Sequence, residues 1–338
     1  MNKKISLFVT LLICLNSNIY ANNIRISGSS TVYPFMSFIA EEYAARYKQR
    51  APIIEAAGTG GGFKVFCSGV GENAADIANA SRVMTKKEVD NCKKNKVNNI
   101  AHLKIGYDGI VLVNMSSAHH FNLSEKELFF ALAEFVPKDG QIIKNPYRKW
   151  QEINPNLPNT NIIIYGPPPT SGTRDVFVEN IIYKNCVHNQ IFKDNFANIT
   201  ERHKYCNNIR EDGPYIEMGE NDNLIIHKLL QNHNALGIVG YSFLDNNRDF
   251  LTGAKINGIE ASYENIKTQR YALSRPLFIY IKEDNYQNKD NLKNFVKHIV
   301  SSDLIGEDGY LVYRGLIPLS KTEFRNNKKI AYDSLRKF

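Results

Sequence analysis

Three times along this chain a strand-length segment runs into a loop of glycines and hydroxyl residues and then into a stretch with helical spacing. The loops are Ser27-Gly28-Ser29-Ser30-Thr31, Gly58-Thr59-Gly60-Gly61-Gly62 and Thr170-Ser171-Gly172-Thr173. Strands that alternate with helices imply an α/β sheet. The rest of the chain keeps the pattern. Residues 23–27, 53–56, 76–80, 109–113, 161–165, 235–240 and 276–281 read as strands, and 34–47, 63–68, 84–94, 124–135, 174–184, 224–231 and 291–301 as helices. The run 109–113 is apolar without interruption, as expected of a strand buried on both faces. At 338 residues the chain exceeds one average domain, so two lobes are expected.

The loops carry a specific chemistry. Glycines expose backbone N–H groups, hydroxyls donate, and helix N-termini add partial positive charge, which together hold a compact oxyanion without a dedicated cation. Charge-assisted hydrogen bonds contribute roughly 1.5–3 kcal/mol each, so a handful reach the roughly 8 kcal/mol of micromolar affinity. Arg82, directly after Ala80-Ser81, and Arg174, directly after Ser171-Gly172-Thr173, are placed to add contacts. The plainer reading of each loop is a helix cap, since Ser, Thr and Gly are favoured there anyway. Three such loops spread over two halves favour the walls of a cleft.

The first residues set the destination. Lys3 and Lys4 precede a mainly apolar run at 5–15, and Ala21 follows Ile19-Tyr20, the form of a secretory signal peptide covering 1–21. That run falls well short of the roughly twenty residues that span a bilayer. Ile13, not a small residue, precedes Cys14, which argues against lipidation. Removing the leader leaves Cys67, Cys92, Cys186 and Cys206 in an oxidising compartment, as two local pairs. A four-thiolate metal site would need Cys-x-x-Cys pairs, and the chain has none. The net charge of +8 would suit nucleic acid, but the basic residues are dispersed and no recognition motif accompanies them. Neither a nucleic-acid partner nor a metal or cofactor is expected.

The segments Gly28-Ser29-Ser30-Thr31-Val32-Tyr33-Pro34, Gly58-Thr59-Gly60-Gly61-Gly62-Phe63, Asp76-Ile77-Ala78-Asn79-Ala80-Ser81-Arg82, Gly106-Tyr107-Asp108-Gly109-Ile110-Val111 and Thr170-Ser171-Gly172-Thr173 stand in that order. In sequence and order they resemble the periplasmic phosphate-binding proteins of phosphate ABC transporters, within the type 2 periplasmic binding fold. The resemblance implies two α/β lobes joined by two crossings, lobe I at 22–113 with 242–338 and lobe II at 114–241. It implies a monomeric, non-enzymatic periplasmic receptor that closes on one inorganic phosphate and delivers it to an inner-membrane ABC permease. Carried over residue by residue, Ser30, Thr31, Thr59, Gly60, Gly61, Ser81 and Arg82 would hold the anion from lobe I, and Ser171, Gly172 and Thr173 from lobe II.

Two departures matter. Some members place Asp where this chain has Ser81, and Arg just before the Ser-Gly-Thr, where it has prolines. An acceptor carboxylate lets such a site demand a protonated oxyanion. Here Arg82 is expected to replace the distant Arg, and Asp108 and Asp175 are the candidate acceptors, beside their plainer readings as a turn residue and a helix-start carboxylate. The rival functions are binding of sulfate, molybdate or arsenate, and an exported serine hydrolase using Ser30 or Ser171. Neither serine lies in Gly-x-Ser-x-Gly.

Overall fold

The computed structural model describes residues 23–71, 74–169, 171–219 and 222–337; the expected leader at 1–21 lies outside the described residues. Nine strands join into one mixed sheet: β1 Arg25–Gly28, β2 Ile53–Ala56, β3 Ile77–Ala80, β4 Ile100–Met115, β5 Ile164–Gly166, β6 Tyr215–Glu217, β7 Leu236–Gly240, β8 Leu251–Gly253 and β9 Ser274–Lys282. Their order across the sheet is β2-β1-β3-β9-β4-β7-β5-β6, with β8 also on β4. At one end β1 runs parallel to β2 and β3, and at the other β5 runs parallel to β6 and β7. The antiparallel strands β9 and β4 lie between these two parallel groups.

The spine is β4. Residues Ile100 to Gly109 pair with β9, while Ile110 to Val113 pair with β7, so one strand passes from one half of the molecule to the other. Only its end, 109–113, announced itself as an apolar run. Its first half alternates instead, with Ala101, Leu103 and Ile105 buried and His102 exposed, the period-two pattern of a strand with one wet face.

Buried side chains divide the halves. Ile26, Ile39, Ile77, Leu103, Ile279 and Phe295 belong to one cluster, and Phe63, Phe66, Ala78 and Tyr280 to another on the opposite face of the same strands. A third gathers Ile110, Trp150, Ile164, Leu236, Leu251, Ile266 and Leu273. Residues 251–273, expected with the first half, therefore pack with the second. The cause is β8, whose Leu251–Gly253 bonds to β4 at Met115–Val113 and holds the chain there until β9 begins at Ser274.

Four helices position the loops: α1 Tyr33–Tyr47, α2 Gly58–Phe66, α3 Lys86–Lys94, and α4 Gly172–Phe177, which continues through a π turn at Val178–Tyr183 to Lys184–Val187. The glycine-rich stretch expected as a turn before Phe63 is thus the first turn of α2. Glycine is a poor helix former in isolation. Here close packing of α2 on β1 overrides propensity, since a Cβ at Gly62 would lie 2.3 Å from Gly28 Cα.

Cys67 bonds to Cys92 and Cys186 to Cys206, the expected pairs. The first ties the end of α2 to α3, and the second ties the last turn of the long α4 helix to helix Ile199–Cys206. Each bridge closes a loop of 20–25 residues, for which chain entropy gives about 2–4 kcal/mol. The Cys67→Ala/Cys92→Ala double variant is expected to lose about that much unfolding free energy in a denaturant titration. An unchanged midpoint would mean that the bridge contributes nothing to stability.

Candidate functional site

The loops after β1, β2 and β3 leave the same end of neighbouring strands, which brings Ser29–Thr31, Gly58–Gly60 and Ser81–Arg82 together. At the carboxyl end of β5, Gly166 leads through the prolines into α4, whose start faces them. Between the halves lies a cavity of about 620 Å³. Ser29, Ser30, Thr31, Gly58, Thr59, Gly60, Ser81 and Arg82 line it from one side, and Pro169, Arg174, Asp175, Val178, Glu179, Tyr183, His203 and Asn207 from the other, with Arg275 on β9 completing the lining.

Helix capping does not explain two of the three loops. Val32 precedes α1 and Ala57 precedes α2, and neither makes a side-chain cap. The hydroxyls of Ser30, Thr31 and Thr59 are thereby left for other partners. Thr59 and Ser81 meet hydroxyl to hydroxyl at 3.0 Å, and Ser81 N–H donates to Thr59 Oγ1 at 3.2 Å. Only Ser171 follows the plainer reading, its Oγ accepting from Thr173 N–H at 3.2 Å.

Of the ten residues expected at the ligand, Ser30, Thr31, Thr59, Gly60, Ser81 and Arg82 line the cavity. Gly61, Ser171, Gly172 and Thr173 do not line it. Gly172 instead sits where the two halves touch, with its carbonyl accepting from Thr31 Oγ1 at 3.2 Å. A Cβ there would lie 2.6 Å from Thr31 Cα, so only glycine permits this approach.

The charges are organised as pairs. Arg82 donates twice to Glu88, both bonds at 2.9 Å, and Glu88 also closes a capping box with Thr85 at the start of α3. Its partner Glu88 raises the Arg82 pKa further, so the guanidinium stays charged. Arg174 binds Glu217 at 2.5 Å and lies over the Tyr215 ring. Ser30 donates to the Asp175 carboxylate across the cleft. Asp175 is exposed and lines the cavity, whereas Asp108 is directed at Arg275. Burial pushes the Asp108 carboxyl above its ordinary range while Arg275 pulls it down.

Sequence reasoning missed Arg275. It is buried, and its Nη2 donates to Thr31 Oγ1 and to the Gly172 carbonyl at 3.2 Å. Its Nε faces Asp108 at 3.7 Å and its Nη1 faces Glu179 at 3.5 Å. The available signal was a cation leading an otherwise apolar strand, Arg275-Pro276-Leu277-Phe278-Ile279. Such a residue needs a buried partner to be tolerated.

Several known proteins are similar to this chain. A Protein SphX of Synechococcus elongatus is 28% identical over 314 residues, covering 90% of this chain and 82% of its own. A Phosphate-binding protein PstS of Staphylococcus saprophyticus is 26% identical, covering 82% and 75% respectively. A possible phosphate binding protein from Planctomyces limnophilus superposes with a TM-score of 0.74 at 25% identity, over 93% of this chain and 99% of its own. An ABC-type phosphate transport receptor from Vibrio cholerae, 19% identical, superposes with a TM-score of 0.61 over 88% and 100% and shares the fold. The expected α/β fold of two lobes with a cleft between them is the fold of these structures. Residues 18–303 match the PBP superfamily domain, and the chain belongs to that superfamily.

Proposed function

We propose that this chain is an exported receptor that captures inorganic phosphate between its lobes and delivers it to a membrane ABC permease. The observation that carries the reading is the convergence of hydroxyls and helix N-termini, uncommitted to capping at α1 and α2, on one cavity between two halves. Relatives named phosphate-binding protein add to it, as does a structural neighbour described with bound phosphate. Export is supported by the leader at 1–21 and by two disulfides, which persist in oxidising compartments. On this reading the lobes are residues 23–109 with 274–337, and residues 110–273, and the anion bridges them as they close. The hydrolase reading is not favoured, because Ser30 donates to Asp175 and Ser171 caps α4, so neither is set against a histidine base.

Asp175 is the acceptor that makes the site ask for a proton. Phosphate near neutral pH carries one to donate, whereas sulfate has none and would place its full charge against the carboxylate with a lone pair unanswered. Isothermal titration of the anion-free protein is expected to give one-to-one phosphate binding that excess sulfate does not displace. In Asp175→Asn, sulfate should compete. Absence of phosphate binding in the native protein would move the function to another ligand, and unchanged selectivity in Asp175→Asn would remove this carboxylate from the proton-reading role.

A further inference from the structure

We propose that Arg275 is a positioning residue that clasps the two lobes together and so sets how tightly the cleft holds its anion. This inference rests on the phosphate reading for its ligand, but not for its geometry. Arg275 stands at the start of β9, just after residues 110–273, directly opposite Asp108 on β4. These are the two strands by which the chain passes between the lobes. From that crossing the guanidinium reaches both loops, donating to the Thr31 hydroxyl of one lobe and the Gly172 carbonyl of the other. Nη2 serves both loops while Nε faces Asp108 and Nη1 faces Glu179, a fixed spread of donors that a single ammonium does not reproduce.

Three features separate a clasp from ordinary structural burial. First, its bonds run to both lobes at once, so with the loops parted the single Nη2 keeps one at most. Second, Thr31 and Arg275 converge on the same Gly172 carbonyl, so the contact forms only in the closed arrangement. Third, the buried Nε lies beyond hydrogen-bond reach of Asp108 at 3.7 Å. The ion pair is thus loose on the β4 side and the directed bonds go to the loops. Because an anion binds the closed state, apparent affinity scales with the closed fraction, and removing the clasp lowers both together.

The test compares native protein, Arg275→Lys, and the Asp108→Asn/Arg275→Gln double variant, which leaves no unpaired buried charge at that pair if Arg275→Gln alone fails to fold. Small-angle scattering of the ligand-free proteins reads the lobe opening, and titration with inorganic phosphate reads affinity. A clasp predicts that both variants open when ligand-free, melt within a few degrees of native and bind phosphate roughly tenfold or more weakly. Lysine should fail to rescue, since charge without the fork is not enough. Scattering identical to native, or full rescue by lysine, overturns the proposal. If the native protein binds no phosphate, the functional reading fails, while the ligand-free scattering still decides the clasp.

Discussion

Replacing Gly172 by alanine is expected to weaken phosphate binding by about a hundredfold or more while leaving the melting temperature within a few degrees of native. The added Cβ would lie 2.6 Å from Thr31 Cα, 2.7 Å from Thr31 N and 3.0 Å from Ser30 C. All three are backbone atoms, so no rotamer change relieves the contact. Carbon atoms rest at about 3.5–4.0 Å, and the loops would have to part by roughly 1 Å. That separation takes the Thr31 and Arg275 bonds to the Gly172 carbonyl, both 3.2 Å already, out of hydrogen-bond range. The fold itself is spared, because Gly172 opens α4 with a backbone that alanine adopts freely and neither lobe's core includes it. Calorimetric titration beside a thermal melt checks both halves of the expectation. Native affinity in Gly172→Ala would mean that the loops need not touch for the anion to bind.

What the sequence discloses about such a site is set by distance along the chain. The loops at 28–31, 58–61 and 171–173 are legible because strand, turn chemistry and helix follow one another locally. The disulfides are legible for the same reason, each closing 20–25 residues. Arg82 was legible as a cation beside Ser81, but not its engagement by Glu88, which depends on how α3 is entered at Thr85. Arg275 was illegible as a site residue because its partners Thr31, Asp108 and Gly172 come from three distant segments that meet only through the pairing of β9 with β4. The packing of residues 251–273 with the second cluster was illegible for the same reason, since it depends on the pairing of β8 with β4. Tyr183, His203 and Asn207 on the far wall carry no local signature.

The largest loss of stability is expected at Gly62, where alanine should destabilise the protein by about 3 kcal/mol or more. Its Cβ would lie 2.3 Å from Gly28 Cα, 2.7 Å from Ser27 O and 2.8 Å from Gly28 N. The strand cannot retreat, because Gly28 is itself pressed on the next one: a Cβ at Gly28 would lie 2.1 Å from Asn79 O, and its φ of +147° is one that side-chain-bearing residues rarely adopt. Nor can α2 retreat cheaply, since Phe63 and Phe66 are fully buried against Ala78, Ala80 and Tyr280, and Cys67 ties the helix to α3. Overpacking three stacked backbones therefore strains all of them, and it also moves Thr59 and Gly60 away from Ser81 and Arg82, so phosphate binding should fall with stability. Gly60→Ala is the control. Its Cβ would meet only the Arg82 Nη2 at 3.7 Å, an ordinary contact, and alanine favours the helix by about 1 kcal/mol. Urea titrations of the two variants should thus move in opposite directions from native. Equal midpoints would mean that α2 packs on β1 more loosely than these distances require.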